Sequence, residues 1–171
     1  MVLNNKKRVT IKSGDIFVVK FEDCQKYFQY IAEDMTMLNS SVIRAFREKY
    51  SLESIPDFKN VVNGEVEFYA HTSLRLGVKM GLWEKAGNNP DTGSTSHILF
   101  RDAKDYGHGP GEEPVTISSK WQVWKINEEF RYVGKLRGEN RNAEIGVVEP
   151  PKGIVHRMKT GEYYGYYPGF E

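Results

Sequence analysis

The sequence predicts a mainly β fold, α+β at the margins: a strongly bent antiparallel sheet or a small SH3-like barrel with peripheral short helices. Three observations predict it. Short runs of β-branched and aromatic residues recur along the chain. Two pairs of these runs are joined by short polar links and read as hairpins, one near each end. Few segments show helical spacing. The 171 residues are enough to bury a core and are expected to form a single domain over 1–171, with a loop-rich insertion over 86–120.

The first hairpin comes from residues 15–21, DIFVVKF, and 27–32, YFQYIA, around a polar link at 22–26. Residues 42–50 fit helical spacing at Ile43, Phe46 and Tyr50, with Ser40 or Ser41 as the N-cap, but they also alternate as a strand. Their β-branched start, following two strands, favours strand. Residues 52–58 are turn-rich with room for a short helix, and 65–71 alternate as a half-buried strand does. Over 74–83, Leu74, Leu76, Val78, Met80 and Leu82 alternate with Arg75, Gly77, Lys79 and Gly81, a period of two that predicts a strand.

Asn-, Gly- and Pro-rich stretches at 88–96 and 106–114 predict loops around a short strand at 97–101. Loops this long in a compact domain are expected to be functional or disordered. Residues 121–126 and 130–136 give the second hairpin, in which Trp121 and Trp124 face opposite sides, one to the core and one left for contact. A short strand at 145–148 is stopped by Pro150 and Pro151, and 154–158 forms a final strand or a short helix. The tail, 161–171, is aromatic and Gly-rich. The expected core is Ile16, Val18, Phe28, Tyr30, Leu76, Val78, Val123 and Val133.

Charge is nearly balanced, 24 basic against 23 acidic residues. That gives no general reason to expect nucleic acid or an anionic membrane as partner. No stretch approaches the ~18 consecutive apolar residues of a membrane span. The basic start, residues 1–8, has no apolar run behind it, so a signal peptide is not expected and a cytoplasmic location is. Cys24 is alone and forms no intrachain disulfide.

A search for chemistry assigns no catalytic residue, no metal ligand and no cofactor. His71, His97, His108 and His156 are scattered, without His-x-His or His-Glu-x-x-His spacing. His71 follows a strand and His108 lies in a glycine loop near Glu112 and Glu113, so folding alone could bring them together. Cys24 has no marker of an activated nucleophile around it. The glycines at 107–111 precede neither Lys-Ser/Thr nor a helix, so they do not form a phosphate loop.

Lys12-x-Gly14-Asp15-Ile16-Phe17 leading into Tyr27-Phe28-Gln29-Tyr30-Ile31 resembles the start of immunity protein family twenty-six of bacterial polymorphic toxin systems. Phe68-Tyr69-Ala70-His71-Thr72 and Trp121-x-x-Trp124-Lys125-Ile126-Asn127-Glu128 extend the resemblance over most of the chain. The grouping is also named with a HocA-type phosphotriesterase. The resemblance implies an immunity protein, not an enzyme, that binds and neutralises a cognate bacterial toxin domain without a cofactor. The alternative it leaves open is a small phosphoester or phosphotriester hydrolase, with or without a metal.

Two regions away from the predicted strands offer anchors for such a partner. In the first, Asp102, Asp105, Glu112 and Glu113 outnumber Arg101 and Lys104 and flank Tyr106. The second is the tail, with Tyr163, Tyr164, Tyr166 and Tyr167, which equally well packs over an open sheet edge. Tyrosine supplies rigid contact area with a polar tip. An acidic loop complements the basic cleft of a nuclease toxin. Near-zero net charge leaves other toxin classes open.

Overall fold

The structure is a computed structural model and describes residues 8–105 and 109–171. In chain order it contains β1 (Asp15–Lys20), β2 (Gln25–Asp34), β3 (Ser40–Phe46), α1 (Phe58–Val62), β4 (Val66–Thr72), α2 (Leu74–Lys79) and β5 (Glu84–Asn88). There follow β6 (Phe100–Ala103), β7 (Trp121–Trp124), β8 (Arg131–Gly134), a 3-10 turn (Gly138–Asn142), β9 (Glu144–Ile145), β10 (Val148–Glu149) and α3 (Pro151–Thr160).

The strands make two sheets, in the orders β10-β4-β3-β2-β1-β5 and β8-β7-β6-β9. The fold is mainly β, as expected, and neither sheet closes into a barrel. Each sheet is mixed, because β10 runs parallel to β4 and β9 parallel to β6. Residues 144–149 therefore stitch the sheets together. The chain enters the second sheet as β9, crosses at Gly146 and leaves in the first as β10. Only glycine fits at the crossing, since a Cβ on Gly146 would lie 2.2 Å from the Trp124 ring and 2.9 Å from Phe100 Cβ.

The density of apolar residues in β1 has a simple cause: both of its faces are covered. Phe17 and Val19 join the main core with Phe28, Ile43, Phe68 and Trp83, while Ile16 and Val18 pack with Tyr27, Phe46, Val61 and Val62 on the other face. A strand covered on both faces reads as a continuous run rather than an alternation. The seam between the sheets is a third cluster of Ile31, Val42, Ile98, Phe100 and Trp124. The loop after β5 is held by buried polar groups. Arg44 Nε donates to Gln29 Oε1 at 2.9 Å, and the two side chains then donate to the carbonyls of Asp91 (2.9 Å) and Asn89 (2.8 Å).

Both hairpins, β3 and β4 fall where the sequence places them. The 74–83 segment does not, for it is α2 followed by a turn. Leu74 and Gly77 face inward one helical turn apart, whereas Leu76 is 45% exposed and Met80 is also exposed. The lever is Gly77, over which the Trp83 indole closes so tightly that a Cβ would sit 1.9 Å from the ring. Trp83 Nε1 also donates to the Leu74 carbonyl at 3.1 Å. Leu76 is therefore not a core residue. Val78, Tyr30 and Val133 are only partly buried, while Ile16, Val18, Phe28 and Val123 are core.

Three smaller differences have equally local causes. The strand expected at 97–101 begins at Phe100, because Ser96 and His97 are taken up in a turn. Residues 154–158 lie inside α3, which starts on Pro151 and ends at Gly161 with φ 88°, a proline-first, glycine-last pattern. Trp121 and Trp124 do face opposite sides, yet both are buried, because Phe170 covers one and the first sheet the other. Residues 86–120 contribute β6, an interior strand of the second sheet. No helix among the described residues is long and apolar enough to cross a membrane.

Candidate functional site

The two regions singled out for partner contact meet in the structure. Beyond β6 the chain turns through Lys104 and Asp105, and after Gly109 it returns toward β7. Lys104 N donates to the Lys120 carbonyl at 2.7 Å and closes the base of this excursion. The tail runs beside the returning limb, with an isolated parallel bridge between Ile117 and Gly169. Gly169 N donates to the Thr116 carbonyl (2.8 Å) and Ser118 N to the Gly169 carbonyl (2.9 Å). Tyr166 Oη donates to the Val115 carbonyl at 2.5 Å. Segments about 50 residues apart in sequence thus form one ridge.

Within the ridge the predicted residues divide. Glu112 and Glu113 are exposed, with Glu112 also accepting from Gly109 N at 2.9 Å. Tyr164 is 59% exposed and Tyr166 47% exposed. Asp105 is half-buried and accepts from Ser118 Oγ at 2.5 Å. Asp102 is half-buried beside Gln122, and burial raises its carboxyl above the usual range. It lines a narrow crevice with Arg101, Tyr167 and Pro168. Asp102 and Asp105 are therefore positioned inside the ridge rather than on it. Tyr106 lies outside the described residues, as does His108.

Tyr163 and Tyr167 turn inward and fasten the tail. Tyr163 packs edge-on against Phe68 and Tyr167, and burial pushes its phenol up. Arg157 of α3 lies over Phe68 (4.2 Å) and Tyr163 (4.6 Å) and contacts Glu144 Oε2 at 3.4 Å. Tyr167 donates its hydroxyl to the buried Glu149 carboxyl. Burial raises both Glu144 and Glu149, with Arg157 opposing the shift in each. Phe170 sits under the guanidinium groups of Arg101 and Arg141 and against Trp121. Packing over a sheet edge thus accounts for three of the tail's five aromatics, Tyr163, Tyr167 and Phe170, and leaves Tyr164 and Tyr166 to solvent.

A second polar cluster fills the seam between the sheets. Asp34, wholly buried at the end of β2, accepts from His71 Nε2 (2.8 Å) and Trp124 Nε1 (3.0 Å) on Oδ2. Its Oδ1 accepts from the backbone N–H groups of Asn127 (3.0 Å) and Thr36 (3.1 Å). Burial alone would raise this carboxyl, but the bonds from Asn127, His71 and Trp124 hold it below its ordinary value. Burial lowers His71, which Asp34 opposes, so the ring is neutral with its proton on Nε2. Among the described residues, His71 Nδ1 has no hydrogen-bond partner. The ring is 0% exposed and lies 4.2 Å from Phe100, so this cluster joins the sheets and is closed off from solvent.

Of the other histidines, His97 and His156 lie apart from it. His97 is exposed beside Tyr69, and His156 packs against Tyr164. Among the described residues no three His, Cys, Asp or Glu side chains group as metal ligands. The residues that sequence reasoning missed are Asp34, Glu144, Glu149 and Arg157. Glu144 and Glu149 border a short strand stopped by proline, and no local pattern marks Asp34 and Glu149 as buried or Glu144 and Arg157 as half-buried.

No family model, no curated protein and no solved structure matches this chain. The resemblance to immunity protein family twenty-six accordingly rests on the sequence patterns quoted above.

Proposed function

We propose that this protein is an immunity protein that binds and neutralises a cognate bacterial toxin domain, with its contact surface on the ridge formed by the tail and the returning loop. The observation that carries the reading is the Ile117–Gly169 bridge. It sets exposed Tyr164 and Tyr166 and the exposed carboxylates of Glu112 and Glu113 on chain segments that are tied together. Aromatic anchors beside like charges are what a rigid, electrostatically selective contact needs. A hydrolase acting through His71 is disfavoured, because that ring is sealed within the seam.

The test is protection of bacteria expressing the toxin domain encoded beside this gene. The wild-type protein should protect and should bind that domain. The combined variant Glu112→Lys, Glu113→Lys, Tyr164→Ala, Tyr166→Ala should lose protection while keeping its circular dichroism. A folded combined variant that still protects would move the interface elsewhere. Failure of the wild-type protein to protect or bind would remove the immunity reading itself.

A further inference from the structure

The face of the first sheet that carries the main core changes character at one end. Directly opposed residues on neighbouring strands share a face, so the pairings set Phe28, Ala45 and Phe68 in one row and Tyr30, Ile43 and Ala70 in the next. The last row, Glu33, Ser41 and Thr72, is polar. The bulge between Tyr30 and Ala32 brings Glu33 to the same face as Tyr30. Here the sheet floors a half-open cavity of about 500 Å³. Its walls are Ile11, the turn at Leu38 and Asn39, and Leu74 and Arg75 of α2.

Two opposite charges flank the polar row. Glu33 closes it on β2, and Arg75 stands beyond Thr72 in the first turn of α2. Among the described residues neither is in an ion pair, and Arg75 Nη1 reaches only the Val9 carbonyl, at 3.4 Å. Strands lie ~5 Å apart, so the row spans about 10 Å between its end residues. That leaves room between the two charges for the ammonium and the carboxylate of one α-amino acid. An ammonium donates to a carboxylate, and a guanidinium holds a carboxylate through two parallel bonds.

The turn in the cavity wall is built against its own chemistry. Ser40 N donates to the Met37 carbonyl at 3.1 Å, and the two residues between them, Leu38 and Asn39, have φ 57° and 50°. A tight turn with two left-handed central residues favours Asn, Asp and Gly, and a leucine there is an outlier. Leu38 is also 80% exposed, so packing within the chain does not offset the strain. An apolar group seated in the cavity would cover Leu38 together with Ile11 and Leu74.

We propose that this cavity binds a free α-amino acid with an apolar side chain. Its ammonium meets Glu33, its carboxylate meets Arg75, and its side chain lies against Ile11, Leu38 and Leu74. The proposal does not rest on the immunity reading.

Amide chemical shifts followed by NMR during titration with L-leucine read the binding. L-Leucine should move the amides around the cavity. N-Acetyl-L-leucine, which lacks the ammonium, and L-leucinamide, which lacks the carboxylate, should each bind roughly tenfold more weakly or worse. Variants then assign the charges. Glu33→Gln should weaken L-leucine binding roughly tenfold and abolish its advantage over N-acetyl-L-leucine, and Arg75→Gln should abolish its advantage over L-leucinamide. Both positions are exposed, so each variant should stay folded, which circular dichroism checks. Leu38→Asn should weaken binding while leaving Tm unchanged or higher, because asparagine suits the turn. A merely structural leucine would lower Tm when replaced. No shift with L-leucine at about 10 mM, well above a millimolar dissociation constant, overturns the proposal. So does equal binding of the three compounds by the wild-type protein, or binding of L-leucine by Glu33→Gln and Arg75→Gln as tight as by wild type.

Discussion

Replacing Asp34 with asparagine keeps the shape of the side chain and removes one acceptor, so it tests the seam directly. The carboxylate receives two hydrogen bonds on each oxygen. An amide has one oxygen, and its NH2 faces two donors whichever way it turns. With the NH2 toward His71 and Trp124, the histidine can move its proton to Nδ1 and accept. That places a buried N–H where Nδ1 has no partner, and it leaves the Trp124 N–H opposed. With the NH2 turned the other way, the backbone N–H groups of Asn127 and Thr36 are opposed instead. In either pose two donors lose an acceptor, each costing about 1–3 kcal/mol. The expected loss is therefore about 4 kcal/mol, a large share of the ~5–15 kcal/mol that holds a domain folded. For a chain of this size it corresponds to a fall in Tm of about 8–16 °C. Urea unfolding followed by tryptophan fluorescence and circular dichroism measures it. A loss under about 1 kcal/mol with a native spectrum would refute the account of Asp34 as the joint between the sheets.

Two further outcomes follow from the same geometry. Burial holds His71 below its ordinary value, so on acidification the unfolded chain binds a proton near pH ~6.5 while the folded chain does so only lower. The stability due to this group is complete above about pH 6.5 and declines below it, by up to ~1.4 kcal/mol per pH unit. The stability advantage of wild type over His71→Gln should shrink between about pH 7.5 and about pH 5, and a constant difference would refute it. In the tail, Tyr163→Ala should cost more than about 2 kcal/mol through lost packing, whereas Tyr164→Ala and Tyr166→Ala should each stay within about 1 kcal/mol. Equal losses at all three positions in chemical denaturation would show that the inward and outward tyrosines are not distinct.

What the sequence reveals depends on whether a residue's partner is near it in the chain. The β1–β2 hairpin is legible because its paired strands are adjacent in the chain, as with Phe17 stacked on Phe28 at 5.2 Å. Segment 74–83 misleads because alternating leucines at 74, 76 and 82 fit a strand as well as a helix. The deciding contact, Trp83 over Gly77, is tertiary. The ridge was half legible. Composition marked both regions, but it cannot tell Tyr163 from Tyr164, since the difference is set by Arg157 and Phe68, elements away. Asp34 was not legible at all. Its donors come from positions 36, 71, 124 and 127, and only the pairing of sheets brings these together.

The alternation of buried and exposed tyrosines bears on how the ridge would bind. A tail free in solution would lose conformational entropy on docking, about 0.5–1.5 kcal/mol for each side chain it immobilises. Here that ordering is already done. Tyr163 and Tyr167 are committed to Arg157 and Glu149, groups on α3 and β10 that are themselves fixed to the first sheet. Phe170 and the Gly169 bridge commit the far end to the second sheet. Tyr164 and Tyr166 therefore stand between two anchored points, one on each sheet, and they cannot move independently of the seam that joins those sheets. Loosening the seam should weaken binding of the proposed toxin partner without touching the ridge, so Asp34→Asn, at a temperature where it remains folded, is expected to bind that proposed partner less tightly than wild type, mainly through a slower or less complete association rather than through any lost contact. Binding indistinguishable from wild type would show that the tail keeps its conformation without the seam, and that the inward tyrosines alone suffice to hold it.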